Sequence, residues 1–181
     1  MLRKSTIGYI LVICLLCGCE KIDIDELDKS STDYVVPTSL GLGTQNSPYT
    51  IEQTLTEEVP TDMSWFIGYV VGSTYSTMKN ALFEAETTYT SNILLSSDST
   101  CQSIDNCIPI ELSTSSIQKK LSLPYNSEHF HQCVMVKGQM LKYFRTNGVR
   151  NVEVGYWLPS LDLSTLKNAT PADWQEWHHF Y

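Results

Sequence analysis

Residues 65–72 read Trp-Phe-Ile-Gly-Tyr-Val-Val-Gly, and this stretch decides the fold class. Aromatic and β-branched side chains, which favour an extended backbone, fill every position except the two glycines. Apolar residues occupy both alternating faces, so we expect a strand that is covered on both sides or shared between two sheets. Gly68 stands in the middle of the stretch and predicts a bulge or a sharp bend there.

Four further strands are predicted downstream from runs of alternating apolar residues. They cover Asn92–Ser96, Cys107–Leu112, Cys133–Leu141 and Val149–Tyr156. Pro109 predicts a free edge on the strand Cys107–Leu112, because proline donates no backbone hydrogen bond. Gly138 predicts a second kink, and Asn147-Gly148, a dipeptide typical of tight turns, predicts a turn before the last strand.

Short helices are predicted at two places among these strands. Thr50 is a candidate cap for a helix over Ile51–Val59, which Pro60 would end. A short amphipathic helix or turn is predicted over Ser116–Leu123. Three strands, a helix and two strands, with a long glycine-kinked first strand, are the order typical of the OB-fold. We therefore expect an all-β protein, a small five-stranded OB-like Greek-key barrel with short helices.

The segments on either side of this barrel differ from it in composition. Residues 19–47 begin with an acid-rich polar stretch and predict a flexible tether, whereas residues 48–156 hold the predicted barrel. Residues 157–181 form a C-terminal extension, in which Thr170 predicts the start of a short amphipathic helix. Its aromatic face, Trp174, Trp177 and Tyr181, predicts packing on the barrel, with a partner or sugar contact as the alternative.

The amino terminus carries a signal rather than a part of the fold. Arg3 and Lys4 precede ten apolar residues over Ile7–Leu16, a run too short to cross a bilayer as a helix. The following Leu16-Cys17-Gly18-Cys19 resembles the bacterial lipobox. This resemblance implies a lipoprotein signal peptide over residues 1–18 and acylation of Cys19, which would anchor the chain in the membrane. The alternative is an ordinary signal peptide with an accidental cysteine.

Several segments of the chain are similar to an uncharacterised OB-like domain family of lipoproteins from Bacteroidota-type gut bacteria. Relatives of that family also lie beside a secreted nuclease. The similar pieces run in order through residues 48–156 and begin with Pro48-Tyr49-Thr50-Ile51 and Phe66–Gly72. They continue with Ser91–Leu95, Cys107–Leu112, Val134–Gly138 and Lys142–Phe144. The resemblance implies the fold and the compartment and carries no activity with it.

Composition excludes several functional classes and points to one candidate surface. The 181 residues are 42% hydrophobic and carry a net charge of −8, which excludes a disordered chain and opposes nonspecific phosphate binding. Residues 113–152 are nevertheless basic, and OB-folds bind nucleic acids or sugars beside the loop after the first strand and the turn between the last two. The candidate ligand-binding residues are Tyr75, Lys137, Lys142, Tyr143, Phe144 and Arg145. A solvated basic face with Phe144 in the core is the alternative.

Signals for catalysis or for cofactors are weak. No nucleophile elbow, phosphate loop or paired catalytic carboxylates can be recognised, so we predict no catalytic residues and no cofactor. The four histidines do not have a spacing that would bring them together on Zn²⁺, and no metal site is predicted. Cys101 and Cys107 could pair in an oxidising envelope, or Cys107 and Cys133 could be small apolar core residues. Asp98-Ser99-Thr100 resembles a short O-glycosylation motif of Bacteroidota-type envelope proteins, with Ser99 as the acceptor.

These patterns predict a noncatalytic lipoprotein of the cell envelope with an OB-like binding or assembly module. We expect it to be held in the outer membrane through Cys19, on a face that the sequence leaves open. Its expected partner is a protein or a glycan. One alternative is a nucleic-acid- or glycan-binding surface module that uses the basic region 119–150. The other is a hydrolase with an unrecognised site.

Overall fold

The structure is a computed structural model that describes residues 41–159, 161–170 and 172–173. The predicted signal peptide, the predicted acylation residue Cys19 and the aromatic face Trp174–Tyr181 lie outside the described residues. The described part is mostly β, which confirms the predicted class. Its strands are β1 Tyr49–Thr50, β2 Met63–Tyr75, β3 Thr77–Leu82, β4 Asn92–Ser96, β5 Ile108–Glu111, β6 Cys133–Tyr143 and β7 Thr146–Leu158. Its α-helices are α1 Ile51–Thr56, α2 Ser115–Leu121 and α3 Leu163–Lys167.

All five predicted strands are present, and two more pair with the long β2. β1 runs parallel to β2 through Phe66 and Ile67. β3 lies in the predicted loop between the first strand and Asn92. It pairs antiparallel with the end of β2. Helix α1 ends at Thr56, earlier than predicted, because Glu57 adopts an extended conformation. The predicted cap is confirmed, since the Thr50 side chain accepts a hydrogen bond from the Gln53 backbone N–H.

The seven strands form one mixed sheet in which β2 has the most neighbours. β2 pairs antiparallel with β4, β4 with β5, β7 with β6, and β6 with β2, whereas β5 and β7 run parallel. The pairings therefore lead from β2 through four other strands and back to β2. The predicted free edge at Pro109 is wrong, because β5 lies between β4 and β7. Its pairing with β7 is limited to Ile110 and Val149.

β2 serves two neighbours because its two halves pair with different strands. Met63–Tyr69 pairs with β6, and Tyr69–Ser73 pairs with β4, with a register shift between Val70 and Gly72. The bulge predicted at Gly68 is therefore wrong: pairing with β6 continues directly through Gly68. A side chain is excluded there because a Cβ would lie 2.6 Å from Ile51 Cγ1 and 2.9 Å from the Ser96 carbonyl oxygen.

The turn between β6 and β7 also differs from the prediction. It is formed by Phe144 and Arg145, whose φ angles are 51° and 69°, and Tyr143 pairs directly with Thr146. Two consecutive positive φ angles match the twist of a tight hairpin. Asn147 and Gly148, predicted as the turn, are paired inside β7. The kink predicted at Gly138 is confirmed, since the register of β6 and β7 shifts between Lys137 and Gln139.

The buried apolar residues form three clusters. The central core is enclosed by the strands and by α1 and α2, and includes Ile51, Phe66, Ile110, Leu121 and Val136. A second cluster, Ile67, Cys133, Met135, Leu158 and Leu166, lies between β2, β6, β7 and α3. A third cluster consists of Val71, Met78, Leu94, Cys101 and Cys107. Apolar positions on both faces of β2 and β6 are explained by these separate clusters.

Candidate functional site

A polar cluster of four side chains lies where β4 begins and β5 ends; we call Asn92, Glu111, Tyr143 and Arg150 the Asn92 cluster. Asn92 and Glu111 are register partners, and Arg150 follows Val149, which pairs with β5. Asn92 is only 2% exposed. Its Oδ1 accepts a hydrogen bond from the Tyr143 hydroxyl at 2.5 Å, and its Nδ2 donates to the Thr74 carbonyl oxygen at 3.3 Å. Asn92 thus ties the end of β2 to the end of β6.

Arg150 forms the charged half of this cluster. Its Nε donates to Glu111 Oε2 at 3.1 Å and its Nη2 donates to Oε1 at 2.9 Å, a two-point ion pair. The guanidinium carbon lies 5.0 Å from the centre of the Tyr143 ring. The hydrogen bond with Glu111 and its charge raise the pKa of Arg150. The pKa of Tyr143 is also raised, first by burial and then by the Glu111 charge, although Arg150 opposes this.

These shifts determine what the Asn92 cluster can do chemically. A tyrosine with a raised pKa keeps its proton at neutral pH, so Tyr143 acts as a hydrogen-bond donor and not as a base. Glu111 is engaged by Arg150 at both oxygens. Such a cluster can fix the shape of a surface and present polar groups to a ligand. It does not place a nucleophile beside a base, the arrangement that nucleophilic catalysis requires.

A surface groove of about 540 Å³ lies near this end of the sheet. One wall is the segment after β3, and the other is the segment after α2. It is lined by Leu82, Ala85, Glu86, Thr87, Thr88, Leu123, Pro124 and Ser127. Thr87 fixes the first wall, because its hydroxyl lies 2.8 Å from Ser73 Oγ and accepts a hydrogen bond from the Tyr89 backbone N–H. Glu86 is the one charged residue among those that line the groove.

The structure brings most of the predicted ligand-binding residues to this same end of the molecule. Tyr75, next to Thr74, is 56% exposed, and its ring centre lies 5.7 Å from that of Tyr89. The rings of Tyr143 and Phe144 stack with centres 4.0 Å apart. Phe144 also packs against the third cluster and is partly buried, so it contributes to the core as well.

The predicted cations are less available than the sequence suggested. Arg145 is exposed in the hairpin turn. Lys142 donates a hydrogen bond to Asn147 Oδ1 at 2.8 Å. Lys137 stands apart: it lies six residues before Tyr143 on β6, or about 20 Å along an extended strand. Lys137 there forms an ion pair with Glu153 at 3.2 Å. Lys137 therefore lies apart from the hairpin residues, and its part in ligand binding stays a prediction.

Sequence reasoning did not find Asn92 and Glu111, which complete the cluster. Asn92 begins one predicted strand, and Glu111 lies inside another, the strand that contains Pro109. Nothing local marks either residue as a partner of the hairpin, because Asn92 is 51 positions from Tyr143. The signal that could have found them is polarity at the ends of two adjacent apolar strands.

Ser99, the candidate glycosylation residue, lies in the turn that follows β4. Asp98 Oδ1 accepts hydrogen bonds at 2.8 Å from both the backbone N–H and the hydroxyl of Thr100. These bonds, the backbone one first, lower the pKa of Asp98. Ser99 is half-buried, so its modification stays a prediction.

The described residues contain neither a metal-ligand cluster nor a membrane-spanning helix. Among the described residues, no three His, Cys, Asp or Glu side chains come together in a way that could hold a metal ion. Two of the four histidines are described, and His129 stacks on Trp157 with ring centres 4.2 Å apart. Within the same part of the chain, no helix is both long and apolar enough to span a bilayer.

The fold and site together define a small, mostly β domain with a groove and a polar cluster at one end of a mixed sheet. Residues 49–158 match the family described as Domain of unknown function (DUF6359). The chain belongs to this family. The matched residues nearly coincide with the predicted domain at residues 48–156. Comparisons with curated proteins and with solved structures find no match.

Replacing Asn92 by alanine is expected to lower the free energy of unfolding by about 1–3 kcal/mol, because the Tyr143 hydroxyl and the Thr74 carbonyl lose their partner. Tyr143→Phe should cost a similar amount, and in a double-mutant cycle the two effects should be clearly non-additive. Urea unfolding at constant m-value measures both. Asn168→Ala, which removes an exposed local hydrogen bond, is the control and should change stability by less than about 0.5 kcal/mol. Additive losses would contradict the coupling.

Proposed function

We propose that this chain is a noncatalytic lipoprotein of the cell envelope whose folded part is an OB-like barrel that binds a glycan. Support for the barrel comes from the strand pairings, which lead from β2 through β4, β5, β7 and β6 back to β2. The parallel pairing of β5 with β7 and the position of α2 between β5 and β6 agree with that topology. In such barrels, ligands bind beside the loops at one end.

The observation that carries the binding proposal is the groove between the segments after β3 and α2. Its lining is mostly apolar and hydroxyl-bearing, with Glu86 as the one charged side chain. Two aromatic pairs, Tyr75 with Tyr89 and Tyr143 with Phe144, lie toward the same end of the sheet. Aromatic faces combined with uncharged hydrogen-bonding groups suit a polar, uncharged ligand such as a sugar.

Charge favours a glycan over a nucleic acid as the ligand. A phosphate backbone is bound by cations that are free to replace its counterions. Lys137 and Arg150 are instead engaged by Glu153 and Glu111. The net charge of −8 and the acidic Glu86 in the groove oppose phosphate further. Among the candidate ligand-binding residues, Arg145 and Lys142 are the remaining cations, and two cations would give a weak contact with a phosphate backbone.

The compartment part of the proposal rests on the amino-terminal sequence. Acyl chains on Cys19 would hold the protein in the outer membrane, and the polar tether predicted over residues 19–47 would lead from the lipid to the domain. Metabolic labelling with palmitate tests this directly. Label is expected on the wild type and not on Cys19→Ser, which should leave the membrane fraction. Equal labelling of the two proteins would overturn the anchor.

The binding proposal is tested on an array of bacterial cell-surface oligosaccharides, with single-stranded oligonucleotides as the competing ligand class. Ala85→Trp places a large side chain in the groove, and we expect it to weaken glycan binding by at least about tenfold. Leu42→Trp, at a residue that is 72% exposed, is the matched control and should bind like the wild type. Glycan binding should change little with salt. Oligonucleotide binding that weakens steeply as salt rises would instead support the nucleic-acid alternative.

A further inference from the structure

Two of the three described cysteines share one buried environment. Cys101 and Cys107 are 7% and 0% exposed and belong to the third cluster with Val71, Met78 and Leu94. They stand at the two ends of the segment that leads from the turn after β4 to the start of β5. Cys133 is buried in the second cluster, whose buried members are different from those of the third.

The segment between the two cysteines folds back so that both sulfurs face the same short turn. Ser103 caps a 3-10 turn over Ile104–Asn106. Cys101 Sγ lies 3.4 Å from the Ser103 carbonyl oxygen, and Cys107 Sγ lies 3.8 Å from the Ile104 carbonyl oxygen. Both thiols donate to these oxygens, which belong to consecutive residues. The backbone of one short turn thus accepts hydrogen bonds from both sulfurs while they are reduced.

We propose that Cys101 and Cys107 are a disulfide-forming pair, oxidised when the protein folds in an oxidising envelope, and that Cys133 stays a free thiol. The compartment rests on the proposed function, whereas the choice of partners rests on the packing. A pair formed from three cysteines leaves one thiol over. That thiol is Cys133, which is buried in a different cluster.

The reaction is an exchange with a disulfide oxidant, either oxidised glutathione or the active-site disulfide of a thiol oxidoreductase. One cysteine thiolate attacks the oxidant, which forms a mixed disulfide and releases one of the oxidant's sulfurs as a thiol. The second cysteine, as thiolate, then attacks its partner's sulfur and displaces the other oxidant thiol. The protein loses two electrons and two protons, and the oxidant gains them as two thiols.

Burial determines when this exchange can take place. Desolvation, together with the charges of the neighbouring Cys101 and Asp105, raises the pKa of Cys107 to about 12. The thiolate is the attacking species, so the folded and reduced protein should react slowly at neutral pH. We therefore expect the bond to form while the chain is still folding, before the third cluster closes.

The test is to reduce and denature the full chain and refold it in detergent with oxidised and reduced glutathione. The protein is then unfolded in denaturant, and the remaining thiols are alkylated with N-ethylmaleimide, so that buried thiols react as well. Cleavage before aspartate and after lysine separates the three cysteines into residues 98–104, 105–119 and 121–137. We expect the first two fragments to be joined, with a mass two hydrogens below their sum, and Cys133 to be alkylated. Alkylation of both Cys101 and Cys107, or a link to Cys133, would overturn the proposal.

Two variants and a stability measurement complete the test. Cys133→Ser should keep the joined fragments, whereas Cys101→Ser should leave Cys107 alkylated. The oxidised wild type should melt about 5–10 °C above the same protein in dithiothreitol, and Cys101→Ser should show no such difference. Because glutathione supplies the oxidant in vitro, the outcome is independent of the membrane anchor, which palmitate labelling tests separately. An oxidised protein that melts no higher than the reduced one would contradict the crosslink.

Discussion

A Phe66→Ala variant is expected to lose about 3–5 kcal/mol of its free energy of unfolding, a large share of the roughly 5–15 kcal/mol typical of a domain. Phe66 is fully buried in the central core. It pairs with Val136 on β6 and with Tyr49 on β1, and its ring centre lies 5.8 Å from that of Tyr49. Alanine would leave a cavity among three strands that hold one another in place, and these strands can close it only in part.

Tyr75→Ala in the same strand is the matched control for this prediction. The substitution removes an aromatic ring similar in size to that of Phe66, but Tyr75 is 56% exposed. We expect its loss to cost about 1–2 kcal/mol, clearly less than Phe66→Ala, since more than half of its surface stays in water on folding. Urea midpoints at an unchanged m-value give both numbers. Equal costs for the two variants would show that Phe66 is not enclosed as the structure places it.

The strands predicted from the sequence are those in which the pattern of apolar residues directly reflects which side chains are buried. Apolar residues on both faces identified β2, and alternation identified β5 and β7, because burial acts on each residue separately. β1 escaped detection because it has only two residues. Its place is fixed by its pairing with Phe66 and Ile67 of β2, which the local sequence does not reveal. β3, with exposed Lys79 and Asn80, has no apolar alternation to reveal it.

Local turn preferences predict the wrong β6–β7 turn, because tertiary contacts decide the conformation there. Asn147-Gly148 is favourable for a turn, yet Gly148 is needed inside β7, where a Cβ would lie 2.8 Å from the Pro109 carbonyl oxygen. Phe144 takes a turn position instead while its side chain packs on the third cluster. The same limit applies to the Asn92 cluster: Tyr143 was found through its charged surroundings, but its partners come from other strands and could not be paired with it.

The reduced protein is expected to lose about 2 kcal/mol of stability for each of two buried thiols by pH 10.5. Burial raises the pKa of Cys107 to about 12 from an ordinary value of 9.0, and it also raises the pKa of Cys133. In the unfolded chain both thiols lose their protons above pH 9, whereas in the folded protein they keep them. The unfolded state therefore binds fewer protons, and stability that is complete below pH 9 falls as the pH rises.

Urea midpoints at pH 8 and pH 10.5, measured in dithiothreitol, test this dependence, and Cys133→Ala should lose about 2 kcal/mol less than the wild type over this range. The same measurement bears on the proposed crosslink. A Cys101–Cys107 disulfide leaves Cys107 with no proton to lose in either state, so the oxidised wild type should also lose about 2 kcal/mol less than the reduced protein. If oxidation with glutathione leaves the alkaline loss unchanged, Cys107 is still a thiol and the pairing is wrong. If Cys133→Ala leaves it unchanged, burial does not protect Cys133.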